Sequence, residues 1–183
     1  MAVGSSVVLR PAGRRSKPLL GLRRQPGRLA LAVFRLPLLL YRQGWGRPLG
    51  DTFLLLVHEG RKTGKRYSTV AMVLRYEPHT QEAVICSAWG QDADWIRNIR
   101  ARPALWVQIG RASFTPQQRF LTQDESLAVL AGFRHRYPHR SRLLAAVLGS
   151  GDLGSDAAAR DFVSSRPFVS LRPHDPQPPA QGR

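Results

Sequence analysis

Residues 54–74 read LLLVHEGRKTGKRYSTVAMVL. Two short apolar runs flank the basic corner Gly60-Arg61-Lys62-Thr63-Gly64-Lys65-Arg66. Runs this short, rich in Leu, Val and Met and divided by turn residues, signal a β-hairpin rather than a helix. The two glycines allow positive φ at the turn, where a side chain would clash. Four cations therefore sit on a loop anchored by two strands. Positive charge and exposed backbone N–H groups make such a corner a receptacle for phosphate or carboxylate. A solvated basic hairpin that binds nothing is the competing reading of these seven residues.

Working outward, the pattern predicts strands over residues 52–59, 67–76, 82–89, 104–109, 112–121 and 166–172. The period changes after the third strand. Asp92 is placed to cap a short helix over residues 93–102, and Pro103 follows its end. Trp95, Ile96 and Ile99 share the inner side of that helix, with Arg97 and Arg100 facing out. A second helix is predicted over residues 123–137, with Leu127, Leu130, Ala131 and Phe133 apolar, ending at Pro138, and a third over 141–148. Residues 149–160 read as a small-residue loop. About six short, mostly antiparallel strands with short helices make a mainly β, α+β chain folded as a small barrel.

The charge is uneven. Residues 1–50 hold ten of the 28 basic side chains and none of the 12 acids, so the chain from residue 51 carries only +6 of the net +16. Residues 1–27 read as a basic flexible arm and 28–50 as an apolar helical segment and connector. Residues 51–172 form the barrel domain, and the Pro- and Gln-rich 173–183 a disordered tail. The arm suits an anionic membrane surface, a nucleic acid or an anionic ligand. It carries almost no aromatic residues for stacking on bases, which argues against specific nucleic-acid binding. Peripheral membrane contact through residues 1–41 competes with a helix that covers the barrel or fills a homodimer interface. No apolar run reaches the roughly 18–20 residues of a membrane-spanning helix. One cysteine, Cys86, excludes a disulfide framework within the chain and fits a reducing, cytoplasmic compartment.

Three separated motifs carry a resemblance. They are LLLVHEGRKTGKRYST, then ICSAWGQDADWIRNIRARP, then WVQIGRASF. Together they resemble the deazaflavin-dependent nitroreductase, or F420H2-dependent quinone reductase, family, over about residues 40–137. Trp95, Asn98, Ala101 and Pro103 fill that family's Trp-x-x-Asn-x-x-Ala-x-Pro helix. The resemblance implies a split β-barrel, related to the FMN-binding pyridoxamine-phosphate-oxidase folds. It implies coenzyme F420 as cofactor, with a phosphate- and carboxylate-bearing tail, and hydride transfer to a small-molecule electron acceptor.

Carried over by position, the resemblance places Arg61, Lys62 and Thr63 on the tail, and Lys65 offers a further cation. Tyr67, Ser68, Thr69, Val70, Ala71 and Met72 would run beside the cofactor, and Ile85, Cys86, Ser87 and Ala88 would meet its ring. Asp94, Trp95, Ile96, Arg97 and Asn98 would present a helix start. Ser87 and Tyr137 are the hydroxyls expected near the reacting face. The basic corner and the Trp95 helix start are expected to converge on one groove. The chain departs from the family's form in keeping only Tyr137 in RHRYPHRSRLL, and in the short Gly90-Gln91 link after Trp89.

Taken singly, His58 and His79 read as surface or hydrogen-bonded histidines, and no metal-ligand spacing occurs. Cys86 reads as a small buried hydrophobe. Trp45, Trp89 and Trp106 read as core rather than as ring-stacking residues. Three functions follow. One is an F420-dependent oxidoreductase reducing a quinone-like, nitro or other conjugated acceptor. A second is an FMN- or deazaflavin-binding carrier or enzyme on the same barrel. The third is a basic membrane-surface or nucleic-acid module.

Overall fold

A computed structural model describes residues 50–148 and 153–174. The expectations for residues 1–49 and 175–183 lie outside them. The hairpin is present: β1 (Phe53–Glu59) pairs antiparallel with β2 (Arg66–Glu77), Glu59 opposite Arg66. β3 (Glu82–Cys86) follows, then a 3-10 turn (Gly90–Asp92) and α1 (Asp94–Ala101). Next come β4 (Trp106–Ile109), β5 (Ala112–Phe114), β6 (Pro116–Phe120), α2 (Gln123–Arg136), α3 (Pro138–Leu148), α4 (Asp156–Ser165) and β7 (Phe168–Pro173).

The seven strands form one antiparallel sheet in the order β5-β4-β1-β2-β3-β7-β6. Its two edges, β5 and β6, are neighbours in the chain, separated by Thr115 alone. One residue thus ties the ends of the sheet together and curls it into a nearly closed, split β-barrel. This corrects the expected single strand over 112–121. Pro116 lacks an N–H for a continuing ladder, and the chain turns a corner from one edge to the other.

Strand β2 serves both halves. Residues 66–72 pair with β1 and residues 73–77 with β3, with a register shift between Val73 and Arg75. The shift is a one-residue bulge at Leu74 that resets the side-chain phase. Val73 points into the barrel, Leu74 packs outside, and Tyr76 lies against the interior again.

The barrel is filled by Leu54, Leu56, Val73, Ile85, Val107, Val169 and Leu171, and closed by Trp95, Ile96 and Ile99 of α1. Arg97 and Arg100 face out, as the helical spacing requires. Gln118 of β6 fixes the far end of α1: its Nε2 donates to Ile99 O (2.6 Å) and its Oε1 accepts from Ala104 N (2.9 Å). Outside the sheet, Val129, Leu130 and Phe133 of α2, Leu144 of α3 and Phe162 of α4 form a second apolar layer.

Several boundaries differ from expectation. α4 occupies residues assigned in part to a loop; Ser155 Oγ accepts from Ala158 N and starts it. β3 ends at Cys86 rather than 89: Ser87 N–H still reaches Pro167 O (3.1 Å) opposite it, and the chain then turns through residues 88–90 into the 3-10 turn. Asp92 is not the cap of α1. Ala93 holds that position without a side-chain bond, and Asp92 pairs with Arg97 instead.

Candidate functional site

Hydrogen bonding across the hairpin mouth shapes the basic corner. Gly60 N donates to Lys65 O (2.8 Å), and Gly60 O accepts from Thr63 N and Gly64 N. Both glycines are required. A Cβ on Gly60 would stand 2.6 Å from the Tyr67 ring and 2.8 Å from Thr63 Oγ1, and Gly64 has φ +64.

The corner lies against the start of α1. Arg61 Nη1 donates to Asp94 Oδ1 and to Asn98 Oδ1, each at 3.0 Å, and Arg61 N donates to Asn98 Oδ1 at 3.1 Å. Asn98 Nδ2 meets His58 Nδ1 at 3.2 Å, and His58 Nε2 meets Thr69 Oγ1 at 3.1 Å. His58 is 3% exposed, and burial pushes its pKa down from the ordinary value. The Glu59 backbone and the Asp94 carboxylate pull the other way. The Tyr67 ring stacks beside His58, centroids 6.1 Å apart, with 46% of the residue exposed.

These groups border an open cavity of about 810 Å³. Arg61, Lys62, Thr63, Tyr67, Ser68, Thr69, Asp94, Trp95 and Asn98 line it. His58, Gly60, Asp92 and Ala93 line it as well, beyond the expected site residues, and so does Trp89, which precedes the short Gly90-Gln91 link. His58 had a signal: in a strand of period two it shares the inward face of Leu54 and Leu56.

Eleven expected site residues do not line the cavity. Lys65 is exposed beyond it. Val70 is opposite Leu55 on the outer face, and Met72 packs against the outer layer. Ala71 packs into the barrel, where Ile85 and Ile96 are fully buried. Arg97 faces out, beside Asp92. Ala88 lies in the turn after β3. Cys86 packs against the outer layer, and its thiol is pushed up to about 12 by burial, so it is a poor nucleophile. Ser87 is fully buried, and its hydroxyl donates to Gly90 O at 2.7 Å. Tyr137 ends α2 in the outer layer, its ring tilted on Phe133 and flanked by the guanidiniums of Arg136 and Arg140. Neither hydroxyl is a wall of the cavity.

The family model described as F420H(2)-dependent quinone reductase matches residues 40–142. The chain belongs to this family. It is an F420-dependent oxidoreductase, and coenzyme F420 is its cofactor. No protein among the curated sequences matches the chain. A solved F420-H2 dependent reductase (FDR-A) is similar at 18% identity, over 68% of this chain and 96% of that one, with a TM-score of 0.46. A structure described as a domain-swapped dimer shares 17% identity over 74% of this chain and 99% of its own, with a TM-score of 0.45. A pyridoxamine 5'-phosphate oxidase-related, FMN binding protein from Nostoc punctiforme shares 14%, over 84% and 83%, with a TM-score of 0.40. Likenesses at this level assign no chemistry.

The residues present fit a polyanionic cofactor. Lys62 has no ion-pair partner among the described residues, and Arg61 spends only Nη1 on its neighbours, so Nε and Nη2 stay free for an oxyanion. No side chain caps the first turn of α1, which is part of the cavity wall. Its N–H groups add partial positive charge there.

Proposed function

We propose that this member of the F420H2-dependent family reduces a quinone-like, nitro or other conjugated small molecule, with cofactor and acceptor meeting in the cavity between the hairpin corner and the start of α1. What supports the reading is that a basic loop with unspent donors and an uncapped helix start share one open cavity in a chain of this family. When bound, the reduced deazaflavin supplies the hydride.

The protein's part is holding and sheltering. Arg61 offers the remainder of its fork to tail oxygens, and Lys62 a point charge. Asn98 and Asp94 hold the Arg61 side chain at one place on the cavity rim, so less ordering is left to binding. Trp95 and Tyr67 give apolar surface for a planar ring. Hydride transfer would leave the acceptor an anion one proton short of product; that proton would come from the reduced deazaflavin, which gives up a proton as well as a hydride, or from water in the open cavity.

The test is a titration with F420 and with FMN, followed by a panel of quinone and nitro acceptors. The wild type binds F420 in preference and oxidises F420H2 only when an acceptor is present. Arg61→Glu with Lys62→Glu weakens F420 binding about tenfold or more while circular dichroism stays the same. Unchanged affinity in that variant removes the hairpin corner from the site.

A further inference from the structure

Asp94, Arg61, Asn98, His58 and Thr69 form one unbroken chain of hydrogen bonds from the surface into the cavity wall. Chemistry fixes its direction at every link. Arg61 sends two donors, its backbone N–H and Nη1, to the same amide atom of Asn98. Neither donor can accept, so that atom is the oxygen. The other amide atom is then NH2, a donor only, and it meets His58 Nδ1. Nδ1 must be the bare, accepting nitrogen, and the neutral ring carries its proton on Nε2. Nε2–H therefore donates to Thr69 Oγ1.

Thr69's own proton is left over. Its hydroxyl has no other partner among the described residues, and Thr69 is on the cavity wall. One lone pair also remains, but an unmet donor is the rarer and costlier loose end. The charged groups around the ring are Arg61 from the hairpin corner and Asp94 from α1; Tyr67 of β2 is the titratable group stacked on it.

We propose that Thr69 is a directional hydrogen-bond donor for an acceptor oxygen of the bound cofactor, with the Arg61–Asn98–His58 chain setting that direction. This rests on the cavity's being the cofactor site. The matching group is a ring carbonyl or a tail phosphate or carboxylate oxygen, and His58 and Asn98 act on it as positioning residues, through Thr69.

Two measurements on the full chain decide it. The first is 15N NMR of the histidines at neutral pH, where His58 shows a protonated Nε2 and a bare Nδ1. The second is affinity for F420 and for its tail-free deazaflavin nucleoside. Thr69→Val, which keeps the shape and removes the hydroxyl, weakens F420 binding about fivefold or more; Thr69→Ser stays within about twofold. A loss shared by the tail-free compound assigns the contact to the ring, and a loss confined to F420 assigns it to the tail; both support the proposal. A His58 proton on Nδ1 overturns it. So does a Thr69→Val protein that binds like wild type while Arg61→Glu does not, an outcome that leaves the cofactor reading standing. A wild type that fails to bind F420 overturns both.

Discussion

His58 shows what one buried residue contributes at this site. It spends both ring nitrogens on neighbours and must be neutral to do so, because a proton on Nδ1 would face the Asn98 NH2. Burial lowers its pKa, so the folded protein holds this proton less tightly than the unfolded chain. Stability from His58 is therefore fully present above the unfolded value of about 6.5 and is lost as pH falls from there through the lowered folded value. Urea unfolding between pH 8 and pH 5 should show a falling midpoint in the wild type and a shallower fall in His58→Gln. Identical slopes would mean that the ring is not desolvated. Legibility at this scale was mixed. Arg61, Lys62 and Thr63 announced themselves through a charged motif between glycines. His58 was readable only by carrying the inward phase of Leu54 and Leu56 to the strand's end. Ser87 gave no sequence sign that its hydroxyl would be committed to Gly90 O, a contact made by the turn itself.

Elements are legible where their ends carry chemistry. Thr122 and Glu125 form a full capping box at α2: Thr122 Oγ1 accepts from Glu125 N, and Glu125 accepts from Thr122 N at 2.8 Å. The Thr122 N–H, with Arg119 reinforcing it, holds the Glu125 carboxyl below its ordinary pKa. Thr122→Ala should cost about 1 kcal/mol in chemical denaturation and leave cofactor affinity unchanged, since α2 packs on the far side of the sheet from the cavity. A loss of cofactor affinity in this variant would show that the outer layer shapes the site. Other ends were silent. β5 and β6 read as one run because only Pro116 marks the break, and the reason for the break is closure of the sheet, a non-local fact. The bulge at Leu74 is equally hidden, because VAMVLRY satisfies the alternation on either side of it. α4 is hidden because its small residues show little period until Phe162 and Val163 find Phe168.

At the scale of the whole molecule, closure and charge act together. Closing the sheet through Thr115 leaves the hairpin mouth and α1 to frame an open cavity at one place on the barrel. The chain carries +16 overall, and its family's cofactor is a polyanion. Long-range attraction of this kind acts before contact, so it raises the association rate rather than slowing release. Salt screens it, because the Debye length falls from about 10 Å at 0.1 M to about 3 Å at 1 M. Stopped-flow binding of F420 should therefore show an association rate that drops about tenfold between low and high salt, with a much smaller change in dissociation. Arg61→Glu with Lys62→Glu changes the cavity rim but removes only part of the total field. Its association rate should still fall with salt, on a shallower slope, while its dissociation is faster at every ionic strength. A wild-type association rate indifferent to salt would restrict the role of charge to direct contact at Arg61 and Lys62. A double variant with unaltered dissociation would place the cofactor's anionic groups elsewhere on the barrel.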